Sequence, residues 1–199
     1  MTTDPHSVAD AVDHASAPRH WEADVLLCDG RTAHIRPIVP ADADLLVQFY
    51  ARVSDRSKYY RFFSPMPNLS ERDVKRFTVV DHDHRVALVM VLQNQMIAVG
   101  RYDVIGDGEA EVAFLVEDQH HGRGIAQLLL EHLAQAARER GIERFIAEVL
   151  PDNQAMIHTF RDAGYRVASG YEDGVLSLEF SIDPTDTSIG VMRGREHRA

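Results

Sequence analysis

Residues 109–126 read EAEVAFLVEDQHHGRGIA, and this run restricts the chain more than any other. An apolar segment with strand character leads into His121-Gly122-Arg123-Gly124-Ile125-Ala126, and a helical period follows, with Ile125, Leu128, Leu129, Leu133 and Ala136 on one face. Gly141 stands where a helix over residues 122–140 would stop. A strand, a glycine turn and a helix N-terminus make an anion site. Glycines let backbone approach a ligand, the first helical N–H groups lack internal acceptors, and the macrodipole adds partial positive charge. Arg123 adds a full charge. The spacing alone also fits an ordinary strand-to-helix turn shaped by Gly122 and Gly124. It is neither a Walker loop nor a dinucleotide fingerprint, because no Gly-Lys-Ser/Thr follows and the strands ahead do not form a βαβ unit.

Those strands form a meander. Residues 86–92 and 96–105 are β-rich around Asn94-Gln95, and Gly106-Asp107-Gly108 introduces the third run, 109–117. Upstream, Asp29-Gly30 between residues 25–27 and 33–38 predicts a hairpin. Pro40 precedes a helix over 41–53 with Leu45, Leu46, Phe49 and Val53 at helical spacing. Residues 54–63 suggest a shorter helix, and Ser70 with Asp73 three residues on suggests a cap for another. Downstream the order is a strand at 145–150, a helix at 154–163 ended by Gly164, a strand at 165–168, and a strand at 175–180 after Asp173-Gly174. The organisation is a flexible tail over 1–20, one α/β domain over 21–181, and a polar linker over 182–199.

Composition narrows the partners. With 21 Lys and Arg against 31 Asp and Glu, the formal net charge is −10, which opposes binding to nucleic acid or to anionic membranes. No apolar run approaches the ~20 residues of a spanning helix, and the N-terminus has no signal-peptide pattern. The single cysteine, Cys28, excludes an internal disulfide. These features predict a cytoplasmic protein.

HGRGIA after EVAFLV resembles the acyl-CoA pyrophosphate loop of the GNAT N-acetyltransferase family, whose pattern is Gln or Arg, two residues, Gly, one residue, then Gly or Ala. His121, Gly124 and Ala126 take the first, fourth and sixth places, with His121 departing from the usual residue. AEVLPDNQAMIHTFRDAGYRV, residues 147–167, is similar to that family's following strand and helix. RTAHIRPIVPADADLLVQFYARVSDRSKYYRFF and DHDHRVALV resemble the acetyltransferase domain of bacterial Pat-type protein lysine acetyltransferases. The resemblance implies a GNAT fold: a mixed, mostly antiparallel sheet with helices on both faces and a splayed acyl-CoA cleft.

It also implies roles. Acetyl-CoA is the acyl donor, and no metal is used. The cofactor contacts fall on Phe114, Val116, His121, Gly122, Arg123, Gly124, Ile125, Ala126, Asn153 and Phe160, with the Val116 N–H polarising the thioester carbonyl. Glu111 is the catalytic base, which must help a lysine that is protonated at pH 7, and Glu109 on the same strand face is its rival. Many members carry a tyrosine acid where this chain has Phe160, so water or Tyr165 substitutes, or the thiolate leaves unprotonated. The implied acceptor is a lysine of a protein, specifically of an AMP-forming acyl-CoA synthetase, and an acyl-CoA synthetase-like domain is often fused to this one. The chain is then one part of a longer protein or a stand-alone variant. A small-molecule amine acetyltransferase and a non-catalytic acyl-CoA sensor are the alternatives.

Other residues carry weaker signals. Asp81-His82-Asp83-His84, read as strand, sends alternate side chains to opposite faces, so at most two could share a metal; the segment could instead line an acidic acceptor groove. His120 and His121 read as loop histidines and Cys28 as a small structural residue. Tyr59, Tyr60, Phe62 and Phe63 read mostly as core. Arg56, Lys58 and Arg61 either contact an acidic partner or solvate a helix face, the second being the ordinary state of exposed charge.

Overall fold

The Asp29-Gly30 turn places β1 (Ala23–Leu26) antiparallel to β2 (Thr32–Pro37), with Ala23 opposite Ile35. The structure is a computed structural model and describes residues 17–184. Gly30 takes φ +82°, which side chains resist, and the Leu27 N–H closes the turn on the Arg31 carbonyl at 2.8 Å. Pro40 opens a 3-10 turn into α1 (Ala43–Arg52), which buries Leu46, Phe49 and Tyr50. Ser54 caps α2 (Asp55–Phe62), accepting from the Ser57 N–H. Ser70 caps α3 (Glu71–Thr78), and Asp73 accepts from the Ser70 N–H in return.

The meander consists of β3 (Arg85–Leu92), β4 (Gln95–Gly106) and β5 (Glu109–Val116), all antiparallel. Then come α4 (Ile125–Arg138), β6 (Arg144–Val149), α5 (Gln154–Asp162), β7 (Val167–Glu172) and β8 (Val175–Ser181). The eight strands lie in the order β1-β2-β3-β4-β5-β6-β8-β7, and β5–β6 is the parallel pair. On one sheet face α4 and α5 bury Leu128, Leu129, Leu133, Ile157 and Phe160 against Leu88, Tyr102 and Phe145. Each large side chain removed from water there contributes about 1.5–3 kcal/mol. On the other face, Phe49, Tyr50 and Leu46 of α1 meet Val89, Val99 and Leu115. The expected mixed sheet with helices on both faces is what forms.

Several boundaries differ from expectation, each for a local reason. Helix α4 begins at Ile125 rather than near Gly122, because Gly122 and Gly124 sit at φ +72° and +73°, outside the helical region. β7 begins at Val167 rather than Tyr165, whose ring is drawn inward to stack on Phe180 at 5.3 Å. Asp81–His84 is not strand. The Asp81 carboxylate accepts the N–H groups of Asp83 (2.9 Å) and Arg85 (2.8 Å), and the resulting turn buries His82 beside Trp21. The end of the expected 1–20 tail is structured: Arg19–Trp21 forms a 3-10 turn, Trp21 is buried, and its indole N–H donates to Glu139 at 2.8 Å. Ile182, expected to open the linker, is fully buried and donates its N–H to the Glu143 carbonyl at 2.9 Å. Residues 1–16 and 185–199, where the rest of the tail and linker were expected, lie outside the described residues.

Candidate active site

The cleft follows from how β5 and β6 part. They pair only where Glu109, Ala110 and Glu111 face Arg144, Phe145 and Ile146, after which β6 continues with β8 as far as Val149. From Val112 onward β5 therefore has one open edge. On its other edge the Glu117 N–H donates to the Ile97 carbonyl at 3.0 Å, and Ala98 faces Val116 in register. Backbone groups alternate in direction along an antiparallel ladder, so Ala113 and Leu115 bond to β4 while Phe114 and Val116 turn theirs into the gap. His121 fills part of it: its Nε2–H donates to the Val116 carbonyl at 2.9 Å, which leaves the Val116 N–H facing the cleft. Side chains of α5 wall the wedge, with Phe160 buried against Phe114 at 6.0 Å between ring centroids.

The glycine loop closes one end. The first bond of α4 is from the Leu128 N–H to the Gly124 carbonyl, 3.0 Å, so the amides of Gly124, Ile125 and Ala126 are those a helix leaves without internal acceptors. They line a cleft of about 350 Å³ together with Gly122, His121, Phe114, Val116, Asn153 and Phe160. Asn153 accepts the Met156 N–H through its side-chain oxygen at 3.3 Å and so caps α5, keeping its amide N–H₂ for a ligand. A phosphate-rich ligand fits these residues: positive-φ glycines, unpaired amides and a helix dipole converge at one end, and an open strand edge runs from there toward a carboxylate.

That carboxylate is Glu111. It lines the cleft and is open to solvent through the mouth, yet the crowding of protein around it pushes its pKa up, and Glu148 across the cleft adds to this. Arg61 opposes the shift. Glu109 is not placed as a rival: it lies outside the cleft lining and forms an ion pair with Arg144.

Four further expectations differ from what the structure places. Arg123 does not face the cleft. Its guanidinium pairs with Asp29 in the β1–β2 turn at 2.7 Å and donates to the Gln119 carbonyl at 3.1 Å. Replacing it with Gln is therefore expected to weaken acetyl-CoA binding by at most about fivefold, the scale of one exposed ion pair, as isothermal titration will read. Tyr165 is buried beneath the sheet on Phe180, outside the cleft lining, and so does not replace the missing tyrosine. Asp81–His84 lies outside that lining as well, and among the described residues no three His, Cys, Asp or Glu side chains converge as for a metal. Cys28 is exposed rather than packed.

Helix α2 contributes more to the site than its sequence suggests. Ser57, Tyr60 and Arg61 line the cleft, and the Tyr60 hydroxyl donates across it to the Asp152 carbonyl at 3.4 Å. Lys58, expected on a solvated face, is buried, donating to the Pro67 carbonyl at 3.2 Å with its ammonium over the Tyr50 ring. Sequence reasoning also misses Glu148. Its signal is the alternation of buried Phe145, Ala147 and Val149 along β6, which turns residue 148 to the opposite face.

Comparison with known proteins agrees with this geometry. Residues 49–165 match the acetyltransferase (GNAT) family. The acetyltransferase Pat of Mycolicibacterium smegmatis is 32% identical over 161 residues, 79% of this chain and 48% of that protein, so the chain spans about half the length of this curated relative. The crystal structure of the GNAT domain of S. lividans PAT is 57% identical, with a TM-score of 0.79, covering 82% of this chain and 98% of that one. A cAMP-binding acyltransferase from Mycobacterium smegmatis is 27% identical with a TM-score of 0.58, over 84% of this chain and 49% of that one. By its sequence and by its splayed sheet, the chain belongs to the GNAT family of acetyltransferases.

Proposed function

We propose that the protein transfers acetyl from acetyl-CoA directly to the ε-amine of a protein lysine, and that the acceptor is an AMP-forming acyl-CoA synthetase. The observation that carries the chemistry is the alignment of three features along one cleft: unpaired amides at a helix N-terminus, an open strand edge, and a carboxylate of raised pKa at the mouth. The likeness to Pat supports a protein acceptor.

Acetyl-CoA, when bound, supplies an activated acetyl group. The amides of Gly124, Ile125 and Ala126 hold its phosphates, and the amide N–H₂ of Asn153 and the backbone of Phe114 hold the chain between. A lysine ammonium, with a pKa near 10.4 in water, must lose a proton to become a nucleophile. Glu111 accepts that proton, directly or through one water, and its raised pKa lessens the mismatch between base and amine. The Val116 N–H faces the carbonyl oxygen on which negative charge grows as the C–N bond forms and the C–S bond breaks. The nitrogen loses its second proton to solvent as the amide forms, and because Phe160 has no proton to give, the departing thiolate, less basic than an amine, takes one from solvent.

The test is thiol release from acetyl-CoA with a purified AMP-forming acetyl-CoA synthetase and with a panel of small amines, mass spectrometry locating any acetyl-lysine. Acetylation of the synthetase is expected. Activity confined to small amines would overturn the acceptor assignment, and acetyl-CoA binding without turnover on any amine would make the protein a sensor.

A further inference from the structure

Helices α2 and α3 run against the charge of the chain. Residues 52–77 hold seven Arg and Lys against three Asp and Glu, in a protein of formal net charge −10. Several of these cations are occupied. Arg52 pairs with Glu117 at 3.1 Å, and Arg56 donates to the Tyr60 hydroxyl at 2.8 Å. Arg61 has no such partner. It lines the cleft beside Glu111, half-buried, its guanidinium over the Phe62 ring at 5.1 Å, and forms no ion pair among the described residues.

Phe62 stacks in turn on Phe77, 6.0 Å between ring centroids, and on Phe77 lies a second cation. Arg101 on β4 is only 7% exposed; it lies over the Phe77 ring at 4.6 Å and donates one long bond, 3.5 Å, to the Phe77 carbonyl. The neighbouring acid, Asp103, is held by Arg85 at 2.8 Å. Burial pushes the pKa of Arg101 down to about 9, with the charge of Arg61 adding, and burial lowers that of Arg61 as well. Cations withdrawn from water without an anion are costly, and ring faces with one carbonyl offset that only in part.

The same cations bear on the acceptor. An amine arriving as its ammonium is attracted by Glu111 and Glu148 and repelled by Arg61. An acceptor with a carboxylate close to the amine meets attraction at both ends, and one without it must approach a guanidinium that feels Glu111 and Asp103 but is in contact with neither. We propose that Arg61, backed by Arg101, is an anion subsite of the acceptor cleft, which takes a carboxylate carried beside the reacting amine. In a protein acceptor this is an Asp or Glu side chain next to the target lysine. The inference rests on the protein-lysine acceptor proposed for this site and names the sequence feature that selects the lysine.

Two peptides, identical except for Glu or Gln beside one lysine, test it with the wild type and with Arg61→Gln. For the wild type, kcat/KM on the Glu peptide is expected to exceed that on the Gln peptide by about tenfold, mostly through KM; in Arg61→Gln the ratio falls to about one while acetyl-CoA affinity is kept. An unchanged ratio in the variant, or none in the wild type, overturns the subsite. So does a variant that shifts the pH profile equally for both peptides, since Arg61 would then serve Glu111 alone. Should neither peptide react while free lysine and cadaverine do, the protein-acceptor reading fails, and the subsite is judged by the preference for lysine, which has a carboxylate, over cadaverine, which lacks one. Norleucine versions of both peptides, titrated onto the CoA-bound protein, give the same comparison as a binding ratio when nothing turns over.

Discussion

Glu111→Gln is expected to lower kcat/KM for amine acetylation by about 10²–10⁴, the usual worth of a positioned general base, while acetyl-CoA binds as before. The substitution keeps the shape of the side chain and removes only its capacity to take a proton. In the wild type the rate should fall on the acid side as pH drops through the pKa of Glu111, which lies above the ordinary glutamate range because protein crowds it and Glu148 faces it. The variant loses that limb. Its deficit narrows as pH rises, because more of the amine is already free. A stability measurement checks the same pKa independently. A carboxyl with a raised folded-state pKa binds its proton more tightly when folded, so its ionisation destabilises the fold as pH rises past the unfolded value. The variant is therefore expected to melt higher than the wild type at pH 8, and the gain should shrink toward pH 4. Equal catalytic loss in Glu109→Gln, whose side chain is engaged by Arg144, would move the base to the wrong carboxylate for this geometry.

Much of this architecture is legible in the sequence because its signals are local. Asp29-Gly30, Pro40, the Ser70/Asp73 pair and Gly141 act on their immediate neighbours, and the corresponding turn, helix starts and helix stop appear where they stand. The glycine loop is legible for the same reason, since positive φ and a helix N-terminus are set within a few residues. What escapes depends on contacts across the sheet. Arg123 lies in that loop, yet Asp29, 94 residues earlier, draws its guanidinium away from the cleft. Lys58 and Arg101 are charged side chains buried against aromatic ring faces, against the tendency that places charge in solvent. Asp81–His84 has strand-like alternation only in its lettering; a carboxylate accepting two backbone N–H groups makes it a turn. Tyr165 follows α5 closely, as a substitute acid would, but its ring supports the underside of β8.

Gly124→Glu carries the second large effect, an expected loss of more than about 100-fold in acetyl-CoA affinity. Two costs act together at this residue. Gly124 is held at φ +73° as the N-cap of α4, and an L side chain there strains the turn. A carboxylate also adds negative charge where the helix presents its positive end and where the phosphates of the donor would lie. The fold itself should persist, because α4 is held mainly by Leu128, Leu129 and Leu133 in the core, well along the helix from its first turn. Gly124→Ala separates the contributions: it imposes the backbone strain without the charge, so an intermediate affinity is expected. Salt provides a further check. Raising ionic strength should recover part of the loss in Gly124→Glu and none of it in Gly124→Ala, since only the charge is screened. A folded Gly124→Glu protein, intact by circular dichroism and binding acetyl-CoA with wild-type affinity in isothermal titration, would remove the loop from the donor site and leave the open edge of β5 without a phosphate anchor.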